Sequence, residues 1–515
     1  MSADTHFVMW TEATVTAVLG IGARAGDHEV SYTGVGTDTR ALKDGELFVA
    51  LRGERFDAHD FLQQAHECGA TGAVVERVPE GAPAGMRYYE VPDTLAALAL
   101  LGRARRHAVG ARVCAVAGSN GKTTTKELLR AALSPRYRVH ATTGNLNNLI
   151  GAPLTLLATP DTAEVIVAEI GTNTPGEVAR LAAIVEPDAA VITGISAEHL
   201  EGLGDLEGVL REETSVVPWV PRAGVIVVAD DPAVLPERAR RMHPAVQVAG
   251  LTEQADAELR GADVALDEEG RVSFAWAGRR VQLELRGRHN ARNALVALGV
   301  ARAWGVPDDQ AIAALEELEP PKMRAEFHRF RELTVIADCY NSNPASVHAA
   351  VDLLTSMPKR GGRVAVLGSM LELGPRSGEI HREVADDVAR QDIDVIVATG
   401  EFADAFGPHR AALGSRLIIT DEALDAWQSL AERLRGTETV LLKGSRGVAL
   451  ERLLPRFMEQ WGSLHPHGEA SGSRAIDSNT GTRDDARPAE HPQTSTAARG
   501  GGEKDGPGTG EGRGN

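Results

Sequence analysis

The sequence predicts an α/β protein of three domains followed by a disordered tail. Three observations carry that expectation. An apolar run, Arg112 to Ala117, breaks at glycine and resumes as a helical pattern through Leu133. Between 319 and 461, apolar strand-like runs alternate with helical patterns, as in a parallel sheet with crossover helices. From 462 to 515 apolar residues nearly vanish and Gly, Ser, Thr, Pro, His and charge take over. Such a segment cannot bury enough surface to offset the entropy of ordering.

Size and charge narrow the classes. A chain of 515 residues has material for about two to four domains. The apolar content of 43% is that of a soluble globular protein. A net charge of −18 argues against a general nucleic-acid binder, which needs a basic surface. Cys68, Cys114 and Cys339 lie far apart and form no C-x-x-C pair, so neither a disulfide framework nor a cysteine zinc site is expected. The first residues carry no basic-then-apolar secretory pattern, and no apolar run reaches the ~18 residues of a membrane span. A cytoplasmic protein, not embedded in a membrane, is expected.

Residues 1–108 read as a small α/β domain. Strand-like pieces are Glu46 to Leu51 and Gly72 to Val75; helices fit His59 to Cys68 and Thr94 to about Arg106, with Asp93 or Thr94 as N-cap. Asp38, Thr39 and Arg40 sit among turn residues, where cap chemistry and a ligand site are both open readings.

Residues 109–318 form the central unit around the glycine loop Gly118-Ser119-Asn120-Gly121-Lys122-Thr123-Thr124. Strand, glycine loop and helix is the context of a phosphate-binding P-loop. The glycines let the backbone approach an anion, and N–H groups at the helix start point at it. Lys122 supplies charge near terminal phosphates and Thr123 a hydroxyl for Mg²⁺. The common G-x-x-x-x-G-K-[ST] spacing would need glycine at Val116; this loop is the shorter G-x-x-G-K-T-T form. Downstream, Asn145, Asn147 and Asn148 flank a glycine and suit either a plain loop or a donor array for sugar or peptide. Glu169 ends an apolar strand beside the loop, where a carboxylate commonly serves Mg²⁺. His199 follows the strand Ala189 to Thr193 and reads as a polar cap or as a metal or phosphate group. Leu206 to Val217 reads as a helix whose Arg211, Glu212 and Glu213 would make a solvated face. His289 and Asn290 open a helix running through Ala303; an anion, a base or simple capping by Asn290 all fit.

The third unit, 319–461, is Rossmann-like. Its polar residues gather after the strands, the default ligand position in such sheets: Asp338 with Tyr340, Asn341, Asn343 and Ser346, then Ser369 and Glu372, then Lys443, Ser445 and Arg446.

Together these stretches resemble the ATP-dependent Mur ligases of peptidoglycan synthesis. The likeness runs in order through nearly all of 1–460: Thr37-Asp38-Thr39-Arg40, the short P-loop, Gly144-Asn145-Leu146-Asn147-Asn148, Ala168-Glu169-Ile170-Gly171, Glu198-His199-Leu200-Glu201, Gly287-Arg288-His289-Asn290, Asp338-Cys339-Tyr340-Asn341-Ser342-Asn343-Pro344, Leu367 to Gly374, and Lys443-Gly444-Ser445-Arg446. The Tyr-Asn-Ser-Asn-Pro and Leu-Gly-Ser-Met-Leu-Glu-Leu-Gly stretches are similar to the branch that adds a dipeptide.

The resemblance implies an ADP-forming ligase, acting as a monomer, that joins D-Ala-D-Ala to UDP-N-acetylmuramoyl-tripeptide with ATP and Mg²⁺. The first domain would hold the UDP end through Asp38, Thr39 and Arg40. Lys122 would contact the ATP phosphates, and Thr123 and Glu169 would hold one Mg²⁺, with His199 on a second. His289 and Asn290 would lie near adenine, and Asn145, Asn147 and Asn148 near the muramoyl peptide. Arg324 and Asp338 would complete the ATP side. Tyr340, Asn341, Asn343 and Ser346 would face the dipeptide. Two positions depart from the family pattern. Glu213 stands where most relatives carry a carbamylated lysine, in effect a long carboxylate, so Glu213 is expected to serve Mg²⁺ directly. Ala337-Asp338 replaces a usual pair of aspartates. A sister ligase adding a single amino acid, or a P-loop ATPase switch that joins nothing, are the rival readings.

Overall fold

The computed structural model describes residues 10–21, 30–53 and 56–462. The expected disordered tail and the N-terminal segment read for a signal lie outside these residues, apart from Gly462. The first domain carries a four-stranded parallel sheet in chain order: β1 (Val35–Gly36), β2 (Leu47–Val49), β3 (Gly72–Val75) and β4 (Arg87–Glu90). Helix α1 (Thr94–Val109) starts where Asp93 accepts the Leu95 and Ala96 N–H groups and ends at Gly110, φ 69°. The sequence signalled β2 and β3 but not β4, whose Arg-Tyr-Tyr-Glu alternation suits an edge strand.

The central sheet is parallel throughout. Its strands are β5 (Arg112–Ala117), β6 (Val139–Ala141), β7 (Val165–Glu169), β8 (Ala189–Ile192), β9 (Val225–Ala229) and β10 (Val246–Ala249), ordered β10-β9-β8-β5-β7-β6. Both faces of β5 are buried: Val113, Ala115 and Ala117 enter one apolar cluster, Cys114 and Val116 another. This is why the strands read as continuous apolar runs. Helix α2 (Lys122–Leu133) leaves the tip of β5. A three-stranded antiparallel sheet, β11 (Ala262–Leu266), β12 (Arg271–Trp276) and β13 (Arg279–Arg286), precedes α3 (His289–Ala303).

The third domain has a six-stranded sheet: β14 (Glu326–Phe330), β15 (Leu333–Asp338), β16 (Arg363–Leu367), β17 (Val395–Thr399), β18 (Leu417–Thr420) and β19 (Thr439–Lys443), ordered β14-β15-β19-β16-β17-β18. All pairs are parallel except β14 with β15. That antiparallel edge was hidden by its sequence, Glu-Phe-His-Arg-Phe, which is too charged to read as a core strand.

Three local details differ from the sequence reading. The 206–217 helix is α-helical only over Leu206–Glu213 and continues as a 3₁₀ turn to Trp219, which contains Pro218. Asn290 does not cap its helix; Arg288 occupies that position, and the Asn290 side chain bonds Arg286 O at 2.7 Å. His199 lies past the end of β8, at the start of the one-turn helix Leu200–Leu203. Among the described residues, no helix is long and apolar enough to cross a membrane.

Candidate active site

The glycine loop is drawn tight by its neighbours. Gly118 has φ 116°, and a Cβ there would fall 2.5 Å from Thr193 Oγ1; at Gly121, φ 84°, it would fall 2.7 Å from Asn293 Oδ1. Neither position has room or backbone freedom for a side chain. Ser119 N–H donates to Gly194 O at 2.8 Å, Thr193 Oγ1 to Asn120 O at 2.5 Å, and Gly118 N–H to Glu213 Oε2 at 2.6 Å. Lys122 folds over the loop, with Nζ 2.5 Å from Gly118 O and 3.5 Å from Glu198 Oε1. Burial opposes the charge on Lys122, but Glu198, Glu213 and Glu169 outweigh it and hold the ammonium above its ordinary range.

Beside the loop, Thr123 Oγ1 donates to Glu169 Oε1 at 3.2 Å and Asn147 Nδ2 to the same oxygen at 2.9 Å. Glu169 Oε2 and Glu213 Oε1 are buried with no hydrogen-bond partner. Burial, reinforced by Glu198, pushes the Glu213 carboxyl up to about 7, with Lys122 opposing. Two orphaned carboxylate oxygens and a hydroxyl beside a P-loop fit a hard divalent cation. Among the described residues, no three His, Cys, Asp or Glu side chains cluster closely enough to hold a metal.

The third domain closes over this loop. Arg324 Nη2 donates to Thr123 Oγ1 at 3.1 Å, and its guanidinium lies 4.6 Å from the centre of the Tyr340 ring. Asn120 and Asn343 exchange amide hydrogen bonds of 3.2 and 2.8 Å, and Asn343 Nδ2 lies 3.4 Å from Glu198 Oε2. Between the domains lies a cavity of about 310 Å³, walled by Asn120, His289, Asn290, Arg324, Asp338 and Ser346, with Gly121 and Thr124 at the loop. Asp338 also stands 3.5 Å from the buried Lys443.

Other nominated residues go elsewhere. Asp38, Thr39 and Arg40 form a turn in the first domain, where the Arg40 guanidinium grips Asp38 at 2.6 and 2.9 Å, and they do not line the cavity. Asn148 Oδ1 accepts the Ile150 and Gly151 N–H groups, and Asn145 is exposed at the loop tip. Asn341 is exposed, with its Oδ1 on Ser342 N. Asn343 caps the helix Pro344–Ser356 through Oδ1 and spends its Nδ2 on the domain contact.

Three family models match the chain: "Mur ligase family, catalytic domain" over 31–106, "Mur ligase middle domain" over 116–301, and "Mur ligase, glutamate ligase domain" over 323–446. The UDP-N-acetylmuramoyl-tripeptide–D-alanyl-D-alanine ligase of Bacillus subtilis is 35% identical over 83% of this chain and 93% of its own length. The chain belongs to the Mur ligase family. The Escherichia coli relative of the same name is 33% identical over 84% of this chain and 95% of its own. Among solved structures, MurF from Acinetobacter baumannii superposes with a TM-score of 0.79 at 31% identity, covering 87% of this chain and 99% of that one. MurF from Thermotoga maritima in complex with ADP superposes with a TM-score of 0.71 at 27% identity, covering 83% and 97%.

In this Mur ligase several residues around the site make contacts that the sequence did not signal. Glu198, 4% exposed, links Lys122, His199 and Asn343. Its only sequence signal was its place before His199. Glu372 meets His199 Nδ1 across the domain boundary. Asn293 presses against Gly121 from α3, a buried helix in which nothing marks one asparagine as special. Ala337, at the position of a family aspartate, is fully buried in β15, so Asp338 carries that strand end alone.

Proposed function

We propose that this Mur ligase joins D-alanyl-D-alanine to UDP-N-acetylmuramoyl-tripeptide, consuming ATP. The observation that carries the reading is Arg324 of the third domain, which lines the cavity and bonds Thr123 of the P-loop, itself bonded to Glu169. Relatives bearing that activity in their names, matched over more than four-fifths of the chain, support it.

The first domain, 1–108, would take the UDP end of the substrate through the Asp38–Arg40 turn. The central domain, 109–318, would take ATP: the base between His289 and Asn290, the phosphates on the loop amides and Lys122. Thr123 and Glu169 would hold one Mg²⁺ ion, with His199 and Glu213 at a second. When bound, the ion offsets charge on the phosphates during transfer. Lys122, kept cationic by three carboxylates, stabilises the same developing charge without reorganising. The terminal carboxylate of the tripeptide accepts the γ-phosphoryl group and becomes an acyl phosphate. The dipeptide amine, held near Tyr340, Asn341 and Ser346 of the 319–461 domain, attacks that carbonyl. The C–N bond forms as the C–O bond to phosphate breaks, and phosphate leaves. Closure of the third domain keeps water from the acyl phosphate and holds the two peptides together.

The test is direct. The chain mixed with ATP, Mg²⁺, UDP-N-acetylmuramoyl-tripeptide and D-Ala-D-Ala should yield the UDP-linked pentapeptide by mass, with ADP and phosphate. Product formation with single amino acids instead of the dipeptide, or ATP hydrolysis indifferent to both peptides, would overturn the assignment.

A further inference from the structure

The contact between His199 and Glu372 has features beyond an ordinary ion pair between domains. His199 belongs to the central domain, at the start of the helix Leu200–Leu203; Glu372 belongs to the third, in the loop after β16. Both are non-glycine residues in the left-handed region, at φ 51° and φ 65°. Such backbone is strained and persists where the surroundings enforce it. The surroundings here are specific. Glu372 O accepts the Glu201 N–H at 3.1 Å, and a Cβ on Gly374 would lie 3.0 Å from Glu201 Cα. Leu200, Leu203, Met370 and Leu373 are buried in a single apolar cluster. The loop is thus held so that the Glu372 carboxylate meets one ring nitrogen of His199 and leaves the other alone.

For the neutral ring, the consequence is a fixed tautomer. With Nδ1 donating to Glu372, Nε2 carries the lone pair. Nε2 stands 3.9 Å from Glu198 Oε2, beyond hydrogen-bond range, and Glu198 in turn reaches Lys122. The available nitrogen therefore lies on the side of the P-loop carboxylates.

We propose that Glu372 is a positioning residue: reaching across from the third domain, it sets the His199 ring so that Nε2 can ligate a divalent cation, which makes the second cation site a product of domain closure. This rests on the reading of His199 as a cation ligand. The carboxylate–histidine–metal arrangement is a general one, and loss of the outer carboxylate lowers metal affinity about 10- to 100-fold.

The experiment is a Mn²⁺ titration of the full chain, followed by electron paramagnetic resonance, with a non-hydrolysable ATP analogue bound. Glu372→Ala should leave the tighter Mn²⁺ ion, the analogue affinity and the thermal midpoint near wild type, and weaken the second ion about 10- to 100-fold. Glu372→Gln, whose amide oxygen still accepts from Nδ1, should fall between the two and carries the test if the alanine variant misfolds. Wild-type affinity for both ions in Glu372→Ala and Glu372→Gln would overturn the proposal and leave a plain domain–domain contact. His199→Ala, run alongside, separates the two failures: if it also keeps both ions, His199 is no ligand, and the cation reading falls together with the inference.

Discussion

Glu213 accepts the Gly118 N–H at 2.6 Å through one carboxylate oxygen, while its other oxygen lies buried with no partner. One side chain thus fastens the P-loop and presents a bare acceptor toward the Lys122 cluster. Glu213→Gln should keep the first role, because its amide oxygen can accept from Gly118, and lose the charge. The expected outcome is a folded enzyme that needs about tenfold or more Mg²⁺ for half-maximal rate, within the range for altered metal surroundings. Glu213→Ala should also strand the Gly118 N–H, costing about 1–3 kcal/mol more. Rate against Mg²⁺ concentration, with thermal melting as control, reads both. Unchanged Mg²⁺ dependence in Glu213→Gln would remove the proposed role.

The paired amides of Asn120 and Asn343 join the P-loop to the third domain. Asn343→Ala loses two roles at once, the interdomain pair and the helix cap at Ser346 N. Asn120→Ala loses the pair and the bond from Asn120 Nδ2 to Ser196 Oγ at 2.7 Å, but no cap. A double-mutant cycle on the affinity for a non-hydrolysable ATP analogue should therefore give a coupling of about 0.5–1.5 kcal/mol, the worth of a partly buried hydrogen bond pair. Asn343→Ala should in addition lower stability by about 1 kcal/mol for the lost cap. Strictly additive effects would mean the two amides do not act together in solution.

Tyr340 meets two guanidiniums, Arg324 at 4.6 Å and Arg446 at 5.4 Å from its ring centre. The ring holds Arg324 where it reaches Thr123. Tyr340→Phe keeps the π face and should change KM for ATP less than threefold. Tyr340→Leu removes it, and about 0.5–1 kcal/mol per cation–π contact translates to a several-fold rise in KM. Equal KM values for the two variants would show that the ring acts through bulk alone.

How much of this was legible in the sequence follows from the kind of signal each residue leaves. The P-loop was readable because glycine spacing, a lysine and a strand-to-helix switch are all local. Glu169 was readable because it ends a continuous apolar strand of the same sheet. Glu213 read as part of a solvated face, since a short helix with three charges in a row normally faces water; it is buried only because the helix packs under Gly118. The contacts of Glu198 with Asn343, Glu372 with His199 and Asn343 with Asn120 were out of reach for another reason. They depend on how one domain meets another, and no periodicity within a segment encodes a partner more than a hundred residues away. The edge strand Glu326–Phe330 escaped because a half-exposed antiparallel strand needs only alternate apolar residues.

His381 supplies a pH prediction at the loop that carries Glu372. Its ring is fully buried; Nε2 accepts the Met370 N–H at 2.9 Å and Nδ1 donates to Ser377 O at 2.8 Å. Burial holds its pKa below the ordinary histidine value, against the opposing pull of Ser377 O and Glu401. In the unfolded chain the ring titrates near 6.5. Above that pH both states are neutral and the residue adds no pH dependence. As pH falls below it, the unfolded chain takes up a proton that the folded ring resists, so stability is lost on the acid side. The loss from this residue between pH 6.5 and 5.5 comes to at most about 1 kcal/mol, the limit for a folded ring that stays neutral throughout. His381→Gln, which can still bond Met370 N–H, should be less stable at neutral pH but should lose about that much less on acidification. Urea unfolding at the two pH values measures the difference. If wild type and variant lose the same stability, His381 already titrates normally in the fold, and its bond to Met370 is not what keeps the loop in place.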